Sequence, residues 1–164
     1  YKDITIKDIT EEAAVSRPTF YRLYQNKDEI LLKYLDEIFE EFFSSILENL
    51  RKERNHDVLG RGLFNKWKDN RDFFVALQKA HLLFKVMERF VDYSALFQEQ
   101  IKRKDNKKNT HFHRYLANCC GGEIFMMLYS WFQDGLNPGS SDIGEVLGRF
   151  YRFIFEETKY YDER

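Results

Sequence analysis

The chain has 164 residues, enough to bury the core of one or two small domains, and 17% of them are aromatic. Its 26 Lys and Arg against 27 Asp and Glu give a net charge of -1, which excludes nucleic-acid binding through bulk charge and leaves only a local contact surface. The two cysteines, adjacent at Cys119 and Cys120, exclude a disulfide framework, because neighbouring helical residues point apart; they suit a reducing cytoplasm.

Period-2 alternation is almost absent and apolar residues recur at three and four throughout, so the predicted fold class is all-α. Tyr1-Lys2-Asp3 carries no apolar signal segment. Ile6 to Ala13 reads as a short helix with Ile9 and Ala13 inward, and Ala14-Val15-Ser16 as a tight turn. Ser16 is placed to cap a second helix, Arg17 to Leu23, with Pro18 in the first turn where its missing N–H costs nothing. Val15 and Phe20 are expected to pack these two helices against each other. Two short helices joined by such a turn make a helix-turn-helix, whose second helix enters a major groove. The same geometry also occurs in proteins that never touch DNA.

The pattern leaves Arg17, Thr19, Tyr21 and Arg22 exposed. Arg can hydrogen-bond guanine, Thr can offer a methyl to thymine, and Tyr can reach a phosphate. Between Tyr1 and Lys33 six basic residues (Lys2, Lys7, Arg17, Arg22, Lys27, Lys33) face six acidic ones (Asp3, Asp8, Glu11, Glu12, Asp28, Glu29), the acids lying off the second helix. A long helix follows from Lys27, with Asn26 as N-cap and Leu31, Leu35, Ile38, Phe39, Phe42, Ile46 and Leu50 on one stripe. Lys27 at its start is suited to a phosphate.

After the charged break at 51–55, a short helix runs through Leu59, Leu63, Phe64 and Trp67, and Asn70 is expected to cap another carrying Phe73, Phe74 and Leu77. Helix is expected again from His81 to Gln100, then a solvated loop over Lys102 to Lys108. The penultimate helix spans roughly Phe112 to Gln133 and stops near Asp134-Gly135; the last runs from about Ser141 to Tyr160. Tyr115 to Phe132 is the longest mostly apolar stretch, but Asn118, two glycines and Glu123 interrupt it, so it reads as buried in protein rather than lipid.

Ile4 to Ile9, Ala13 to Tyr24 and Asn26 to Leu31 together resemble the DNA-binding signature of the TetR (tetracycline repressor) family of transcription regulators. The resemblance implies DNA contacts at Lys7, Arg17, Pro18, Thr19, Tyr21 and Arg22 and a phosphate contact at Lys27. It also departs in two places. Ala14 stands where the family usually has Gly, at roughly 1 kcal/mol of left-handed strain. The family's first helix is missing because this sequence begins just before the second, which reads as truncation or disorder rather than a different fold; without it the small head is short of apolar cover. The implied division is a partial helix-turn-helix domain at 1–33 and a ligand-binding and dimerisation domain at 34–164.

Phe73-Phe74 with Leu77, Gly121-Gly122 and Trp131 to Gly135 are similar to the C-terminal domains of some low-GC bacterial members, whose last two helices pair in a four-helix dimer interface. On that footing Gly121, Gly122, Met127, Trp131, Val146 and Phe150 are candidate dimer contacts, the alternative being tight packing within one subunit. Gly144 and Gly148 raise the same question. Phe64, Trp67, Phe74, His81, Phe84, Met87, Phe125, Met126 and Tyr129 are candidate pocket residues for a small hydrophobic or aromatic effector, the alternative being plain core. The four histidines (His56, His81, His111, His113) show no chelating spacing, so no metal is expected. The cysteine pair reads as small buried residues rather than an oxidant sensor. No Gly-rich phosphate loop or nucleophile constellation is present, so neither enzyme activity nor a cofactor is expected.

The resemblance thus implies a cytoplasmic homodimer on a pseudo-palindromic double-stranded operator, away from membranes, whose DNA affinity is expected to answer to a small molecule. The alternative is a body that binds a protein co-regulator.

Overall fold

The computed structural model describes residues 1–52, 56–101 and 110–162, which form eight α-helices: α1 (Ile6–Glu12), α2 (Arg17–Leu23), α3 (Lys27–Lys52), α4 (His56–Asp69), α5 (Arg71–Lys79), α6 (Leu83–Ile101), α7 (Thr110–Gln133) and α8 (Ser140–Asp162). No strand occurs among the described residues. The break at 53–55 and the Lys102 to Lys108 run lie outside them, as do the side chains of Ile46, Leu50, His56, Leu59, His111 and His113.

The expected stripe on α3 is the spine of the body. Leu35, Ile38, Phe39, Phe42 and Phe43 are buried against Leu63, Phe64 and Trp67 of α4, Phe74 and Leu77 of α5, and Val86 and Phe90 of α6. Ile124, Phe125, Leu128 and Trp131 of α7 and Leu147 of α8 complete this core. Its rings interdigitate edge-on and stacked: Phe39 meets Phe90 at 4.7 Å, Phe64 meets Trp131 at 5.2 Å, and Phe74 stacks on Phe132 at 4.0 Å. Such pairs contribute roughly 0.5–1.5 kcal/mol each beyond the area they bury.

The two most extensive helix pairs, α4 with α8 and α6 with α7, both depend on missing side chains. A methyl on Gly60 would overlap the Gly144 carbonyl, and one on Gly121 would fall 2.6 Å from the Val91 amide nitrogen. Gly121 is therefore consumed inside the chain and is not a dimer contact. Trp131 is corrected likewise: it is only 2% exposed, and its indole N–H donates to the Pro138 carbonyl at 2.6 Å. Met127 is packed against the core. At Gly122, by contrast, nothing would meet an added methyl, and Val146 (55%) and Phe150 (39%) are exposed.

Helix ends show where local chemistry overrode periodicity. His81 does not continue a helix; it has φ 58 and closes α5, with its N–H on Gln78 O and the Leu82 N–H on Leu77 O. This reciprocal pair is a Schellman closure, and α6 starts only at Leu83. Gly135 closes α7 in the same way, with the Leu136 N–H on Trp131 O at 2.9 Å. Asn70 stands at the start of α5 without capping it. Its amide donates back to Lys66 O at 2.8 Å, and its carbonyl accepts from the Tyr34 hydroxyl.

Ion pairs tie α3 to α6. Lys85 reaches Asp28 at 3.7 Å, and Arg89 reaches Asp36 at 2.9 Å and Asp92 at 3.0 Å. No described helix is long and apolar enough to cross a membrane.

Candidate nucleic-acid interface

The N-terminal head is built from local hydrogen bonds. Thr5 caps α1: its hydroxyl accepts from the Asp8 amide at 3.2 Å, while its own N–H and hydroxyl donate to the Asp8 carboxylate at 2.7 Å. Those bonds, the backbone one foremost, hold the Asp8 carboxyl below its usual range. Sequence reasoning missed this box, although Thr-x-x-Asp before an apolar residue was its signal. Thr10, buried, donates to Lys7 O at 3.0 Å.

The turn has the left-handed geometry expected at Ala14. Its φ is 51, in the left-handed region, and its N–H and that of Val15 bond back to Glu11 O at 3.2 Å and Thr10 O at 3.0 Å. A third Schellman closure thus ends α1 and redirects the chain into α2. Two inward expectations fail here. Ala13 is exposed and Thr10, not Ala13, is the buried residue of α1. Val15, carried in the redirected turn, is exposed as well. Phe20 alone plugs the helix pair, with Tyr21 and Tyr24 rings at 5.4 and 5.8 Å. Ile4 and Leu23 are also bare, so the head carries little apolar cover.

Ser16 caps α2, its Oγ accepting from the Thr19 amide at 3.2 Å and lying 2.9 Å from the Thr19 hydroxyl. Arg17, Pro18, Tyr21 and Arg22 are all exposed, Tyr21 at 58%. At helical spacing they occupy an arc of about 140° on one side of α2. Thr19 is half-buried with its hydroxyl engaged by Ser16, which fits the cap more than the arc. Lys7 is exposed on α1, 3.7 Å from Glu11.

Lys27 departs from expectation. Its ammonium donates to Tyr1 O at 2.8 Å and Ile4 O at 2.7 Å, and it lies 4.5 Å from the centre of the Tyr1 ring. The Tyr1 hydroxyl donates to Asp28, and burial together with that carboxylate pushes the phenol pKa upward. The charge expected to anchor a phosphate instead clamps residues 1–4 to the start of α3. Asn26 does cap α3, its Oδ1 accepting from the Glu29 amide at 3.1 Å.

The candidate pocket residues are divided between the core and the surface. Phe64, Trp67, Phe74 and Phe125 are buried in the packed core, and Met87 and Tyr129 lie at its edge. His81, Phe84 and Met126 are on the surface. A concavity of about 390 Å³ lies elsewhere, at the junction of head and body, walled by Tyr1, Ile4, Leu31, Phe73, Ala76 and Leu82. Among the described residues no His, Cys, Asp and Glu cluster could hold a metal.

Residues 1–34 match the family described as bacterial regulatory proteins, tetR family. Neither the curated proteins nor the solved structures yield a match to the chain. The matched segment is a helix-turn-helix DNA-binding domain, and with it the chain carries the reading head of a transcription regulator.

Proposed function

We propose that the chain works as a homodimeric, cytoplasmic regulator whose two α2 helices read successive major grooves of a pseudo-palindromic operator. Residues 1–33 serve as the reading head and residues 34–164 as the dimerising, signal-receiving body. The observation that carries this reading is the exposed arc of Arg17, Pro18, Tyr21 and Arg22 on a helix fixed by the Ser16 cap and the Phe20 plug. In a groove, Arg17 and Arg22 contact guanine edges or phosphates, Tyr21 a phosphate, and Pro18 a thymine methyl. Lys7 approaches the backbone from α1. Thr19 and Lys27 act at one remove: the first holds the cap, the second holds the N-terminal turn.

Association is supported by an apolar face that the chain leaves uncovered. Tyr115, Cys119 and Met126 of α7 recur at helical spacing with Gly122 between them, and Val146, Phe150 and Phe153 do the same on α8. A second copy is the occupant this face suits, because a two-fold pairing matches like surface with like.

A small apolar effector would act at the head–body concavity, whose walls belong to both parts. The close-packed aromatic core of the body favours a second reading, in which the body answers to a protein partner instead. Thermal-shift screening of metabolites against co-purification of partners, each with and without operator DNA, discriminates between the two.

Selection of bound duplexes from a random pool tests the central claim. A symmetric motif is expected for the native chain, and Arg17→Ala is expected to flatten the preference at one base pair per half-site by about 1–3 kcal/mol. An unchanged motif in Arg17→Ala would remove α2 from the groove.

A further inference from the structure

On α7, at the border of the uncovered apolar face, sits a carboxyl group with no role in the reading above. Glu123 lies one turn beyond Cys119 and one turn before Met126, so it flanks the exposed stripe. Its Oε2 has no solvent contact and no hydrogen-bond partner. A buried acceptor left empty in a native core is uncommon, and a carboxyl oxygen in that position is far easier to accommodate once it carries a proton. The Tyr151 hydroxyl of α8 and the Cys120 thiol of α7 hydrogen-bond to each other beside it, both pushed upward in pKa by burial, Cys120 to about 11. Cys120 and Tyr151 are therefore neutral at physiological pH beside this carboxyl.

Among the described residues no charge offsets it: burial is the cause that acts on the Glu123 carboxyl, and Arg149 of α8 is paired with Glu145 at 2.6 Å. Helix α6 meets the opposite side of α7, at Gly121, some 200° around from Glu123 by helical spacing. Cys119, on Glu123's own stripe, is exposed. Burial alone raises the Glu123 carboxyl to about 7.

We propose that pairing of two copies through the α7/α8 face is proton-linked through Glu123, the protonated carboxyl favouring the dimer. This rests on the dimer reading given above. Apposing a second apolar surface against the stripe removes remaining water from the flank on which Glu123 stands. The neutral acid loses little by that and the carboxylate loses much, so association takes up a proton per subunit. The dimer then tightens as pH falls through neutrality. A two-fold axis doubles the effect, because both subunits present the same group.

Sedimentation equilibrium of the chain between about pH 6 and about pH 8, with Glu123→Gln alongside, tests the linkage. The native chain is expected to dissociate at least about fivefold more readily at the upper end, and Glu123→Gln is expected to associate with one constant at both. Glu123→Met, which also removes the charge, is expected to behave like Gln and guards against a defect peculiar to one variant. A native dimer whose constant is flat with pH, or the same pH slope surviving in both variants, overturns the linkage while leaving the dimer intact. A chain that stays monomeric across the whole range overturns the dimer reading itself.

Discussion

Lys27 shows how one side chain can be legible in position while its partners within the chain are not. A lysine opening a helix beside a recognition helix is suited to a phosphate, but two carbonyls and the Tyr1 ring claim this ammonium first. Charge-assisted bonds of this kind contribute about 1.5–3 kcal/mol. Lys27→Ala is therefore expected to loosen residues 1–4, seen as faster amide exchange at Ile4 and Thr5, while altering the salt dependence of DNA binding less than Arg22→Ala. Equal losses of salt slope in the two variants would return Lys27 to the phosphate. Ala14 went the other way. The resemblance marked the strained turn in advance, because the family usually has glycine where Ala14 stands, and φ 51 bears this out. Ala14→Gly relieves the strain but loosens the unfolded chain, for a net gain of about 0.5–1 kcal/mol measurable by chemical denaturation. What stayed illegible were bonds that need three dimensions, such as carbonyls from residues 1–4 folding back onto Lys27.

Helix existence and type were readable because a strong apolar stripe at period 3.6, as on α3, fits little besides an amphipathic helix. Helix α7 resisted: it is apolar over most of its circumference, so the pattern alone does not separate the side facing its own core from the side facing outward. Periodicity therefore groups Gly121 and Trp131 with Gly122. The structure divides them, and the glycines test the division. Gly121→Ala forces α6 and α7 apart and is expected to cost about 1–3 kcal/mol. Gly122→Ala has open space and gains helix propensity, so it is expected to be neutral or stabilising by up to about 1 kcal/mol in the monomer. Urea denaturation of both variants decides, and matched destabilisation would contradict the packing. The pH response of stability belongs to the same seam. Glu123 is raised from 4.5 to about 7 in the fold, so the unfolded chain releases its proton first as pH rises. Stability is unaffected below about 4.5, declines between about 4.5 and 7, and levels off above, by about 1 kcal/mol after allowing for the water that still reaches the group. In Glu123→Gln this decline should vanish from the melting temperature measured across that window.

At the scale of the whole molecule, the small head and the aromatic body have to act through one another. Among the described residues the head has one buried aromatic plug, Phe20, and several bare apolar residues. Its orientation depends on α3, which Lys85 and Arg89 bind to α6 through Asp28 and Asp36. Helix α6 in turn packs along α7, which carries part of the uncovered face. Pairing two bodies fixes the spacing of two heads, so DNA affinity on a full operator comes mostly from tethering the second head once the first is bound. Val146→Glu places a charge in the middle of that face without touching the head or the core, since Val146 is exposed and distant in sequence from both DNA-contacting helices. The variant should keep its monomer melting temperature and its weak affinity for an isolated half-site. On a two-half-site operator its affinity should fall by about 10²-fold or more, because the second binding event is no longer intramolecular. The slope of log affinity against log salt should fall to about half, since only one set of phosphates is neutralised per binding event. Electrophoretic mobility shifts at several salt concentrations measure both quantities together. Retention of the full slope and affinity by a Val146→Glu monomer would mean that a single head suffices, and that the uncovered face serves something other than spacing the heads on DNA.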